Sequence, residues 1–159
     1  VNGPAADERS LLEARLDVQR AEIAAILEHL DETQARARLV PSLTTPLGLV
    51  KHATFVEQVW LHSRVAGAPR DELGIPDTVD ESFVLEPSDT VTSVLASYQQ
   101  ACERSREIAA EHDLDEEFSW HGRSVSLRFV YGHLIIELAR HAGHGDILVE
   151  LLEAGAGPG

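Results

Sequence analysis

Leu11, Leu12, Leu16, Ile23, Ile26, Leu27 and Leu30 recur at helical spacing with charged residues between them, and predict a first long helix over residues 7–30. Asp7 stands where an N-cap belongs, and His29 is placed as a cation near the helix C-terminus. The stretch 31–39 holds one or two further turns. Pro41 and Pro46 then interrupt the pattern, with Thr44 or Thr45 positioned to cap a second helix over residues 46–65. Leu49, His52, Phe55, Val56, Val59 and Trp60 fall on one broad face of that helix; Glu57 and His62 fall outside it and are expected to meet solvent. Residues 66–88 contain Gly67, Pro69, Gly74, Pro76 and Pro87 and predict a long irregular connection, tacked to the body by Phe83 and Leu85. A third helix is expected from Ser88 or Asp89 to about Glu111, with Val91, Val94, Leu95, Tyr98, Cys102 and Ile108 on its inner face. A polar connection follows, with a short extended segment around Phe118 to Trp120, and leads into a fourth helix over 124–154. Four helical patterns with one long crossover between the second and third describe an all-α four-helix bundle. The expected organisation is one domain over residues 1–159, with an ordered core of about 7–154 and a flexible tail at 155–159.

Composition narrows the function. A chain of 159 residues is long enough to bury a core without disulfides, and Cys102, the single cysteine, excludes an internal disulfide and any thiol-rich zinc site. The net charge is −14, from 13 basic and 27 acidic residues, and Lys51 is the only lysine. Phosphate neutralisation carries most nucleic-acid affinity, so a nucleic-acid partner is not expected, nor is an anionic membrane surface. No apolar run approaches the roughly 18 residues that a membrane span needs, and residues 1–10 lack the basic start and apolar core of a signal peptide. A cytoplasmic location is therefore expected. HEXXH, Gly-rich phosphate loops and paired Glu-x-x-His motifs are absent.

The candidate chemistry lies on the fourth helix, where His133, Glu137, His141 and His144 interrupt an apolar background. Residues four apart share a helix face, so the first three form a ladder, with His144 just beyond it. Rungs eight apart are separated by about 12 Å along the axis, too far for one ion with bonds of about 2 Å. The candidate pairs are therefore His133 with Glu137, Glu137 with His141, or His141 with His144. His52 on the second helix points into the same interior, and a ligand from there completes a three-residue metal site. Three protein ligands leave a position open, as catalytic sites do.

Two segments carry a family likeness. ARARLVPSLTTPLGLVKHATFVEQVWLHSRVAG and VYGHLIIELARHAGHGDILVELLEA resemble the DinB-like superfamily, within it an actinobacterial branch known as a domain of unknown function. The resemblance covers nearly the whole chain. It implies a bundle, often dimeric, with a metal held by a histidine on helix two and two residues four apart on helix four. Aligning Gly143 with the family's glycine selects His52, Glu137 and His141 from the candidates above. Much of the superfamily has a second histidine where this chain has Glu137; the His, Glu, His set is similar to that of mycothiol S-transferases and mycothiol-dependent maleylpyruvate isomerases.

The resemblance implies a metal-dependent thiol transferase, an enzyme of detoxification chemistry. Its expected cofactors are a divalent ion, zinc in the first place with nickel as the alternative, and mycothiol as the thiol co-substrate. Its partners are that small-molecule thiol, an electrophile and a second copy of the chain. A coordinated thiol is deprotonated, whereas a free one of pKa about 8.5 is mostly protonated at neutral pH. Lys51 and Arg140, each beside a ligand, are candidates for binding an anionic cofactor. His144 is the candidate acid or base, and His133 is placed to hold the Glu137 carboxylate. The rival readings are hydrolysis by bound water, a non-catalytic metal-binding stress protein, and isomerisation through a thiol adduct.

Overall fold

The structure, a computed structural model, describes residues 7–155. The expected flexible tail, Gly155 apart, lies outside the described residues. The chain is mostly helical, with one small antiparallel hairpin. In order it forms α1 (Glu8–Ala25), α2 (Glu32–Ala35), α3 (Pro46–Glu57) continued by a π-helix (Gln58–Val65), α4 (Arg70–Leu73), a 3-10 turn (Asp80–Phe83), α5 (Val91–Ala110), β1 (Glu117–Trp120), β2 (Arg123–Ser126) and α6 (Leu127–Glu153).

Local chemistry sets the helix starts. Asp7 caps α1, Thr45 caps α3 with Pro46 in its first turn, and Ser126 caps α6; each side chain accepts a backbone N–H three residues on. Thr90 rather than Ser88 or Asp89 caps α5, in a reciprocal capping box with Ser93. Asp89 is used instead as an acceptor for the Lys51 ammonium and the Glu86 N–H, both at 2.7 Å.

α1 ends earlier than its apolar spacing predicts. After Ala25 the backbone tightens to bonds three residues apart, and His29 takes a left-handed φ of 68° that closes the turn. His29 is thus a stop residue, and Ile26 and Leu27 are buried from the turn. The polar connection after α5 contains two paired strands where one extended segment is expected; His121 and Gly122 both have positive φ, as a tight two-residue hairpin loop requires.

α3 packs on α1, α5 and α6, and α1 packs along α6. At the α1–α6 crossing, a Cβ at Gly145 would lie 2.4 Å from Ile26, so the close approach requires glycine. Leu16, Ile23, Leu47, Leu49, Leu127, Leu134 and Leu138 are among the wholly buried side chains of the core. No helix among the described residues is long and apolar enough to cross a membrane.

Two expectations for the second helix fail. Glu57 is fully buried and His62 is 8% exposed. Glu57 accepts two bonds from Arg20, at 2.7 and 2.8 Å, and His62 Nε2 lies 3.1 Å from the Ala101 carbonyl. The one-face reading fails because α3 is surrounded by three helices. It fails again beyond Gln58 because the π-helix changes the period, and Phe55/Trp60, Val56/Leu61 and Glu57/His62 are all buried five residues apart.

Candidate metal centre

α3 and α6 together bring three donors to one place. His52 projects from α3; Glu137 and His141, one turn apart, project from α6. His52 Nε2 lies 3.6 Å and His141 Nε2 3.0 Å from the same Glu137 oxygen, Oε1. The two imidazole rings meet edge to face with centroids 4.6 Å apart. One donor atom from each residue falls within 4.8 Å of the others.

His52 is held by a segment that periodicity does not reveal. Its Nδ1 lies 2.7 Å from the buried Ser82 hydroxyl, and Phe83 stacks on its ring at 4.1 Å and 12°. The Ser82 hydroxyl donates its one proton to the Val79 carbonyl. Its oxygen is therefore left to accept from His52, which places the imidazole proton on Nδ1 and the lone pair on Nε2, facing Glu137. That Nε2, like His141 Nδ1, is buried with no hydrogen-bond partner.

The charge states suit the donors. The hydrogen bond from His141, with the His52 imidazole beside it, holds the Glu137 carboxyl far below the usual carboxylate range, against the opposing effect of its partial burial. Burial lowers the pKa of His52 and outweighs the attraction of Glu137, so this histidine is neutral at pH 7. A carboxylate and two imidazoles, with orphaned ring nitrogens among them, fit a divalent ion of the zinc type.

The other expected residues are placed differently. The Lys51 ammonium is engaged by the Val84 carbonyl at 2.8 Å and by Asp89. Arg140 is exposed and makes no hydrogen bond or ion pair with the described residues. His144 is exposed, its ring 5.4 Å from that of His141. His133 does not hold the Glu137 carboxylate; it packs on Trp60 at 4.2 Å and stacks with Phe129. Cys102 is buried, its thiol pushed up to about 12 by burial and by Glu57, which leaves it inert as a nucleophile.

The missed contributors are Ser82 and the stacking role of Phe83. Both lie in the irregular connection, where no spacing signals direction. No curated protein matches the sequence. A family model described as Mycothiol-S-transferase matches residues 11–154, a span that contains all three donors together with Ser82 and Phe83. With the His, Glu, His cluster inside a match of that length, the chain belongs to the mycothiol S-transferase family.

Proposed function

We propose that this protein joins the sulfur of mycothiol to an electrophile at a divalent-metal site held by His52, Glu137 and His141. The observation that carries the reading is the convergence of three donors from two helices within 4.8 Å, with the lone-pair nitrogen of His52 buried and unpartnered. When bound, the ion, zinc in the first place and nickel as the alternative, supplies the Lewis acidity that lets a thiol react as its thiolate near neutral pH.

The chain's own residues supply position and proton handling. Ser82 and Phe83 fix the His52 ring, and Glu137 is bonded to His141 and lies beside His52. His144 is the group assigned to take up the thiol proton; Arg140 lies on the same stripe of α6, four residues before it, and contacts an anionic part of a ligand. Lys51 binds an anionic ligand only by sharing the ammonium that Asp89 already holds. Cys102 takes no part, so the nucleophile comes from outside the chain.

In this reading α1, α3 with its π continuation, α5 and α6 are the four helices of a DinB-like bundle. It forms one domain, acts in the cytoplasm and pairs with a second copy of the chain. The test is elemental analysis of protein purified without added metal, for the native chain and His52→Ala, alongside conjugation assays with mycothiol and an aryl chloride. Stoichiometric metal and thiol-dependent product are expected, and both are lost in the variant. Full metal retention in His52→Ala removes the three-ligand assignment, and turnover without thiol replaces the transferase with a hydrolase.

A further inference from the structure

The π-helical continuation of α3 carries Trp60 and Arg64, and the Arg64 guanidinium carbon lies 3.9 Å from the Trp60 ring centroid and 5.9 Å from that of Trp120. His133, one turn from Glu137 on α6, packs on the same Trp60. Phe129 joins Trp60, Trp120 and His133 in one aromatic cluster. The cluster reaches solvent at Phe129, which is 42% exposed, and its member His133 stands one turn of α6 before Glu137.

Arg64 makes no hydrogen bond or ion pair with any described residue, and its Nη1 is buried without a partner. In a chain with 27 acidic and 13 basic residues, a half-buried guanidinium with no acidic partner and one nitrogen shut off from solvent is out of place. Arg15, Arg123 and Arg140 also lack partners among the described residues, but they are exposed. Burial, and after it the charge of Arg70, lowers the pKa of Arg64. A planar fork of unused donors, seated on indole rings, matches a carboxylate with an aromatic body.

We propose that Arg64, Trp120 and Phe129 form the electrophile subsite of this enzyme and that it selects aryl carboxylates. The guanidinium pairs the carboxylate while the rings cover the apolar body. The assignment of the ligand as electrophile rests on the transferase reading; binding itself does not require the metal.

Both tryptophans of the chain, Trp60 and Trp120, belong to the cluster, so intrinsic fluorescence reports occupancy directly. Benzoate and benzamide are titrated into the native protein, Arg64→Gln, Arg64→Lys and His52→Ala. Saturable quenching is expected from benzoate in the native chain, with affinity at least about tenfold above benzamide, the scale of a charge-assisted bond. Arg64→Gln brings the ratio close to one, Arg64→Lys retains part of it, and His52→Ala leaves it intact. Equal affinities in the native chain, no saturable response to benzoate, or a preference that survives Arg64→Gln would overturn the proposal. A preference lost in His52→Ala but kept in Arg64→Gln also overturns it, because the carboxylate then sits on the ion. If the Arg64 preference holds while metal or thiol-dependent turnover is missing, the subsite stands and the transferase reading falls.

Discussion

Ser82→Ala isolates the one contact that sets which nitrogen of His52 is free. The Ser82 hydroxyl is 1% exposed and the His52 ring 2% exposed, so water does not replace the lost acceptor. An unsatisfied buried donor costs about 1–3 kcal/mol. His52 escapes part of that cost by moving its proton to Nε2, where Glu137 Oε1 waits 3.6 Å away. That tautomer is the wrong one for a metal ligand, so the stability lost by the metal-free protein stays at the low end, about 1 kcal/mol. The metal affinity takes the rest. Removing the partner of a ligating histidine typically lowers affinity about 10- to 100-fold, or about 1.4–2.7 kcal/mol. Phe83 still stacks on the ring, which keeps the variant milder than His52→Ala. Zinc affinity is measured by competition with a chromophoric chelator, and stability by denaturant unfolding with excess chelator present. If Ser82→Ala binds zinc within about threefold of the native chain, the hydroxyl does not set the tautomer and the reasoning fails.

Glu57→Leu leaves the Arg20 guanidinium buried without its forked partner. A loss of about 3 kcal/mol is expected in denaturant unfolding, the low end for a broken buried pair because Asp17 still holds Arg20 at 3.0 Å. Adding Arg20→Met should recover most of that loss; a single-variant loss under about 1 kcal/mol would contradict the burial. The second prediction concerns acid. Burial lowers the folded pKa of His62, so below about pH 6.5 the unfolded chain binds more protons than the folded one and stability falls with falling pH. The stability advantage of the native chain over His62→Gln should therefore narrow as pH drops from 7 to 5 in unfolding titrations; an advantage that grows would reverse the sign.

Most of what repeats with a period was legible. The caps at Asp7 and Thr45, the inner face of α5, and the placing of His52 toward Glu137 follow from residue type and a 3.6-residue turn. Family resemblance, rather than spacing, singled out Glu137 and His141 from the other pairs. What escaped depends on partners distant in sequence. Glu57 reads as a solvent-facing carboxylate until Arg20, 37 residues earlier, is brought against it. Ser82 reads as loop polarity until its hydroxyl meets a ring 30 residues away. The π-helix escaped because QVWLHSRV carries no proline or glycine to mark a change of winding.

α1 contributes no donor, yet it decides whether the donors meet. On an α-helix, positions five apart point about 140° away from each other. Glu57 therefore faces α1 through Arg20 while His52, on the same helix, faces Glu137 on α6. α1 is itself fixed to α6 by the close contact of Ile26 with Gly145. Turning α3 about its axis far enough to withdraw His52 would tear both bonds of the Arg20 fork inside the core and leave the fully buried Glu57 without its partner. A packed apolar pair at those positions would hold the helices at the same distance with far less preference for one rotation. The ion pair is accordingly best understood as the register pin of the candidate metal centre. On that argument the Arg20→Met, Glu57→Leu double variant should unfold at nearly native denaturant concentration yet bind zinc more weakly; unchanged zinc affinity would show that α6 and Ser82 alone orient His52.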